Sequence, residues 1–352
     1  MKAIKWIFIL LLLLAAYFLI WPTPVTPQVW KPAPIPALAA PTLEPTSVNT
    51  LYPGACPACE DIAVDAGGII YGGSEEGNIH RFRSLNDTEG DVLVNTGGRP
   101  LGLHFDREDN LWVCDADLGL LKITPSGGIF PMAKSYQGKD FRFTNDLDIG
   151  PSGTVYFTVA SDKYGIEDYK FDIIEHRPRG RFFALAPDGK SPSLLAEDLY
   201  FANGVAVDPQ EQFALICETS NYQLRKIWLN GPKAGESEVL LENLPGYPDG
   251  ISRGSNGIYW LTLISPRKAF LEKYMSQPIV MKMVSKLPAA LHPAPGRFLH
   301  ILGIDAEGNI VHNIQQKAPT FAQISSVQEA YGQLFLGSLS ENGVGRISVP
   351  TK

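Results

Sequence analysis

The sequence predicts an all-β chain folded as a six-bladed β-propeller behind a single N-terminal transmembrane helix. Three observations predict it. Only 19% of the residues are charged, while glycine (33) and proline (28) are plentiful, which favours a turn-rich β protein over a helical one. A strand–turn–strand phrase recurs six times along the chain, mostly at the roughly 40 to 60-residue step expected of propeller blades. An unbroken apolar run sets the first two dozen residues apart.

The elements follow in chain order. In "MKAIKWIFILLLLLAAYFLIWPTP", Lys2 and Lys5 precede an apolar run from Trp6 to Trp21, closed by Pro22. At about 1.5 Å per residue the run reaches most of the way across a hydrocarbon core of about 30 Å. Lys5 can snorkel to extend it, and the tryptophans suit both interfaces. A cleaved signal peptide is the competing reading. Such a peptide wants small residues just after the apolar run, and "YFLIWPTP" offers none; the nearest A-x-A, Ala37 to Ala39, lies too far downstream. Residues 1–22 are therefore expected to be an uncleaved signal-anchor. Its N-terminus would be cytoplasmic and the bulk of the chain exported to a periplasmic, lumenal or extracellular side. Residues 23–47, rich in proline and alanine and without periodicity, read as a semi-rigid linker holding the domain off the membrane.

Residues 48–352 hold the repeats. They begin "EDIAVDAGGIIYGG" at Glu60, "LGLHFDREDNLWVCD" at Leu101, "NDLDIGPSGTVYFT" at Asn145, "NGVAVDPQEQFALICE" at Asn203, "DGISRGSNGIYWLTL" at Asp249 and "SSVQEAYGQLFLGS" at Ser325. Each is a short strand, a polar or Gly-rich turn and a second strand. An aromatic follows about ten or eleven places after the start: Tyr71, Trp112, Tyr156, Trp260 and Phe335, with Ala214 breaking the rule in the fourth repeat. Six blades of about 50 residues need about 300, which this span supplies. The last repeat starts so near the C-terminus that its blade is expected to borrow an outer strand from "VNTLYP". One domain results.

Two insertions interrupt the pattern, residues 161–179 in blade three and 265–293 in blade five, the second with helical apolar spacing. Loops on a propeller face commonly roof the central cavity, so a lid is expected, with simple decoration the alternative. Of the four cysteines, Cys56 and Cys59 read as a local bridge or as plain thiols. "CPAC" does not open a helix after a strand, which argues against a redox motif. Cys114 and Cys217 stay unassigned.

The first residues of the repeats carry the chemistry. Equivalent positions of six inner strands face one another across the channel at one depth: Glu60, Leu101, Asn145, Asn203, Asp249 and Ser325. Asn-Gly, Asn-Asp and Asp-Gly are common turn pairs, and singly each reads as a turn. Together they place two carboxylates and two carboxamides on one axis. Like charges in a narrow channel repel unless a cation lies between them. An all-oxygen donor set favours Ca²⁺, which accepts six to eight irregularly placed oxygens, over Mg²⁺. Zinc is disfavoured by the lack of His or Cys in the ring. The net charge of −7 argues against a nucleic-acid partner.

The phrases "FTNDLDIGPSGTVYFT", "RPRGRFFAL", "LYFANGVAVD", "LNGPKAG", "ENLPGYPDGI" and "LFLGSLSENGVGRI" closely resemble the strictosidine synthase-like family, in particular its adipocyte plasma membrane-associated protein type. The likeness covers about residues 50 to 350. It implies kinship with gluconolactonases, senescence marker proteins and paraoxonases, six-bladed calcium propellers whose metal ligands carry over to Glu60, Asn145, Asn203 and Asp249. It also implies a catalytic part for Asp249 as base or nucleophile. Two departures matter. Ser325, or Ala322 in a shifted alignment, stands where the synthases carry a glutamate, so alkaloid-forming activity is not expected. Leu101 stands where paraoxonases carry a histidine, and His104 is expected to be structural. Glu218 and Arg225 resemble family positions, or else hold strands together. The expected function is calcium-dependent hydrolysis of an ester or lactone. Leu101, Tyr164, Tyr169 and Phe171 would form an apolar mouth. The alternative is a non-catalytic tethered binder with a structural ion. Oligomeric state is not legible.

Overall fold

The computed structural model describes residues 2–42, 47–87, 90–288, 291–292, 294–317 and 319–350. Residues 43–46 of the linker, and 289–290 and 293 of the second insertion, lie outside the described residues. Six four-stranded antiparallel sheets make the blades. Their inner strands are Ile62–Val64, Pro100–Phe105, Thr144–Ile149, Ala202–Val207, Gly246–Arg253 and Ile324–Ala330. Each touches the next around the axis, and the last touches the first, so the ring closes. Closure is completed at the rim, where Asn49–Leu51 pairs with Val344–Ser348 and supplies the outer strand of blade six.

The recurring aromatic explains why blades stack. Trp112 is buried among Leu147, Val155 and Phe157 of blade three. Tyr156 packs with Val205 and Ile216 of blade four, Trp260 with Val327 and Leu334 of blade six, and Phe335 with Ile62 and Ile70 of blade one. Each ring is thus a peg set into its successor. Where Ala214 breaks the rule, Phe213 one residue earlier packs against Ile251 and Tyr259 of blade five. Polar tips of the pegs are satisfied, as burial demands: Trp112 donates to Asp106, Tyr156 to Glu211 and Trp260 to Glu329.

Both insertions fold as short helices. The N-terminal helix is α1 (Lys2–Ile20); α2 (Tyr169–Glu175) comes from the first insertion, and α3 (Ala269–Tyr274) and α4 (Pro278–Val284) from the second. Among the described residues no helix is long and apolar enough to cross a membrane. Lys2 and Lys5 interrupt α1, leaving an apolar stretch from Trp6 to Ile20, about 22 Å at 1.5 Å per residue. The expected transmembrane role of α1 is therefore not established by its length. Its flanks are nonetheless bare: Trp6, Phe8, Leu10 and Leu13 are all more than 60% exposed.

The proline-rich segment does not stand clear of the domain. Its backbone is bonded along the propeller for most of its length. Thr26 donates from N and Oγ1 to Glu175, Gln28 N to the Glu175 carbonyl, and Trp30 N to the Met275 carbonyl. Arg267 donates to the Ala33 carbonyl and Asn313 bonds Thr42. Prolines lack donors and the strap lacks periodicity, so side chains of the propeller take up its carbonyls. Trp30 stacks on His176, centroids 3.7 Å apart, and packs beside Ile174, Leu271, Met275 and Met281. The strap therefore clasps both insertions together. Cys56 and Cys59 are bonded to each other, and Cys114 and Cys217 are buried free thiols.

Candidate functional site

In five blades the pairing of the inner strand slips at one place: between Pro100 and Leu103, Thr144 and Leu147, Ala202 and Val205, Pro248 and Ile251, and Ile324 and Val327. In blade one the inner strand begins only at Ile62, leaving Glu60 and Asp61 in the matching register. Two residues per blade are so lifted from the ladder, the ring residue and its successor. Bulges re-aim side chains beside sites. Here they turn the ring residue toward the channel.

Glu60, Asn145, Asn203 and Asp249 all line one cavity of about 160 Å³. Asn145, Asn203 and Asp249 are each at least 94% buried. The Asn203 amide donates to Asp249 Oδ1 and to Thr219 Oγ1, which in turn donates to the Pro248 carbonyl. Asp249 Oδ2 and Glu60 Oε2 are buried without a hydrogen-bond partner. Burial, and then the charge of Glu60, raises the Asp249 carboxyl well above its usual range. Burial likewise raises Glu60 to about 7, against the pull of Arg99 at 3.7 Å. Two orphaned carboxylate oxygens beside two amide groups are a donor set short of positive charge. They fit a hard divalent cation. Among the described residues no cluster of three or more His, Cys, Asp or Glu is placed to hold a metal; the ring offers two carboxylates and would rely on amide oxygens for the rest.

The other two ring residues are structural. Leu101, 1% exposed, packs with Phe143, Ala160 and Phe201. Ser325 Oγ donates to the Glu60 carbonyl at 2.6 Å, tying blade six to blade one. His104 lies toward the opposite mouth, its Nε2 3.2 Å from Asp148. Glu218 and Arg225 pair at 2.8 Å, and Glu218 also accepts from Tyr200 N. They hold strands.

The cavity walls are apolar: Phe143, Ile173, Ile174, Phe201, Ile264 and Leu271 among them. Both insertions contribute, so they are a roof. Of the residues expected at an apolar mouth, Tyr169 borders the cavity. Leu101 borders the opposite mouth. Tyr164 points instead to the strap, its hydroxyl 3.3 Å from the Pro24 carbonyl, and Phe171 joins the lid cluster beside Trp30. Facing outward, an insertion residue serves the clasp; only inward ones serve the cavity.

Sequence reasoning missed a second tier one residue on. Asp61 accepts from Leu103 N and Asp146 from Val205 N, each bridging to the following blade. Gly204 and Gly250 take the same position where the next blade's backbone comes too close for any side chain. The signal was present as the alternation Asp, Gly, Asp, Gly, Gly after the ring residue, but it reads as ordinary turn chemistry until blades are adjacent.

Comparison with known proteins bears on this geometry. A family model described as strictosidine synthase matches residues 145–232, and one described as strictosidine synthase-like, N-terminal, matches residues 59–82. Protein strictosidine synthase-like 6 of Arabidopsis thaliana is 32% identical over 82% of this chain and 78% of its own. The adipocyte plasma membrane-associated protein of Salmo salar is 28% identical over 94% and 85%. Among solved structures, a gluconolactonase from Xanthomonas campestris superposes with TM-score 0.63 at 18% identity, covering 86% of this chain and 89% of that one. A calcium-binding protein, regucalcin, from Agrobacterium tumefaciens gives 0.60 at 14%, covering 88% and 95%. These two show the propeller fold alone. The matched models and the identity and extent of the strictosidine synthase-like relative agree: the chain belongs to the strictosidine synthase-like family.

Proposed function

We propose that the protein is a membrane-anchored, calcium-dependent hydrolase of esters or lactones. The observation that carries this reading is the pair of buried carboxylate oxygens of Glu60 and Asp249 that lack a hydrogen-bond partner and border an apolar cavity, only Glu60 having a cation of the chain, Arg99, within 4 Å. Glu60, Asn145, Asn203 and Asp249 are the residues that would hold the ion. When bound, Ca²⁺ supplies charge that keeps both carboxylates ionised and a Lewis-acid face for a carbonyl oxygen. The remaining work falls to the chain. Asn203 fixes Asp249 through Oδ1 and leaves Oδ2 toward the cavity, free to take a proton from attacking water or to attack directly. Phe143, Phe201, Ile173 and Leu271 exclude bulk water and seat an acyl or aryl group.

The bare apolar flanks of α1 support its role as the anchor, with Lys2 and Lys5 snorkelling and local thinning of the bilayer meeting its short span. The two lysines ahead of the apolar run support a cytoplasmic N-terminus and an exported propeller. Protease protection in intact cells tests this orientation; digestion of the propeller from the cytoplasmic side overturns it.

A second reading, a non-catalytic tethered binder with a structural ion, draws support from Leu101 and Ser325, which supply no acid or base to the ring. The full chain in non-ionic detergent, assayed on aryl acetates and lactones with calcium or chelator, separates the two. Hydrolysis is expected with calcium and not with chelator. Absence of turnover on every substrate, together with a chelator-induced drop in Tm, selects the binder.

A further inference from the structure

The cavity lining combines unlike chemistries. Its walls are apolar and the ring carboxylates border it, but so do two lysines: Lys170 on α2 and Lys268 at the start of α3. They come from the two separate insertions, and both are partly buried. Among the described residues neither has an ion-pairing or hydrogen-bonding partner; Lys170 only leans over the Tyr169 ring at 5.9 Å. The other cations of the roof that are at least partly buried are matched, while Lys273 and Lys282 are exposed. Lys163 pairs with Glu175 at 2.9 Å, Arg179 with Glu175 at 3.0 Å and Arg267 with Glu272 at 2.6 Å. Neither ammonium nitrogen is among the buried unpartnered atoms, so among the described residues both stand open beside an apolar cavity with no carboxylate to meet them. His292 Nε2, in the same wall, is buried without a partner.

We propose that the ligand of this cavity is an anionic amphiphile, its apolar chain against Phe143, Phe201 and Leu271 and its negatively charged head received by Lys170 and Lys268. Carboxylate and phosphate heads share the required chemistry, an anion with oxygen acceptors for two ammonium donors. This names the substrate class of the site described above and rests on that reading for turnover. It does not rest on it for binding.

The test reads binding directly. Full-length protein in non-ionic detergent is titrated with octanoate, octyl phosphate, octanol and octylamine, following displacement of a fluorescent apolar probe. Both anions are expected to bind about tenfold or more tightly than octanol, the scale of a charge-assisted contact, and octylamine more weakly still. If only one anion shows the preference, head-group shape selects within the class. The preference should vanish in Lys170→Gln/Lys268→Gln and persist in Lys170→Arg/Lys268→Arg, while octanol binding stays unchanged in both. Equal affinity for octanol and both anions overturns the proposal. So does a preference that survives the glutamine pair but disappears with chelator, which would place the anion at the ring instead. Hydrolysis fails or succeeds in a separate assay, so loss of that reading leaves this result standing.

Discussion

At Asp249 the chain holds a carboxylate that gains nothing from water and, without a cation, nothing from its neighbours beyond Asn203. Asp249→Asn should therefore raise stability in chelator by about 1 kcal/mol, the scale of relieving one buried unsatisfied charge, and abolish the calcium-induced rise in Tm. Ser325→Ala should leave calcium affinity unchanged, since its hydroxyl serves the Glu60 carbonyl. Calorimetric titration and melting in calcium or chelator check both; a calcium affinity of Asp249→Asn equal to the parent's contradicts the site. A second residue prediction concerns His176 and pH. Burial pushes this imidazole down from 6.5 to about 3, so the folded chain refuses a proton that the unfolded chain accepts. Its contribution is complete above pH 6.5 and declines as pH falls from there toward 3, by up to ~1.4 kcal/mol per unit. Burial alone would raise the adjacent Glu175, but donation from Thr26 and Lys163 brings it down to about 2. Its share is complete above about 4.5 and is lost as pH falls through 2. Amide exchange at Gln28 and Trp30 should accelerate between pH 6.5 and 5 beyond the intrinsic rate. His176→Phe should flatten that window.

At the scale of elements, the bulge in each inner strand decides what the ring can be. Gly204 sits where an added Cβ would press on the Asp249 carbonyl and come within 2.6 Å of Ile251 N. Gly204→Ala should cost about 2–4 kcal/mol in urea unfolding, the range for overpacking against fixed backbone, and weaken calcium binding by displacing Asp249. Gly165→Ala, with ordinary φ and its nearest contact the Arg142 carbonyl at 3.5 Å, controls for the loss of glycine's backbone freedom; equal losses in the two variants refute the steric account. The ring was legible in the sequence because one side-chain chemistry recurs at one offset of a repeat, which a periodic reading detects. The blade order and the borrowed strand Asn49–Leu51 were legible for the same reason. Asp61 and Asp146 were not, because their partners Leu103 N and Val205 N lie a blade away. Lys170 and Lys268 carry no sequence signal, since an unpaired lysine looks like a solvated one until the roof is in place.

For the whole molecule, the strap unites parts that the sequence presents as separate. Its composition reads as a spacer because nothing local bonds it. The partners that hold it, Glu175, Met275, Arg267 and Asn313, lie far along the chain. A fragment beginning at Val48 should keep the propeller's β signature by circular dichroism yet melt several degrees lower than one beginning at Pro22, with faster exchange in α2 and α3. Identical melting of the two fragments refutes the clasp. The same attachment bears on the membrane role proposed for α1. Thr23 already bonds Ser285, and Tyr17 and Lys286 bond across to one another's segments. From Ile20 to Thr23 the chain can extend about 10 Å at most. Were α1 seated in a bilayer, as proposed, so short a tether would leave the roofed cavity little slack above the surface, and a ligand diffusing laterally in the leaflet would reach it by a search in two dimensions.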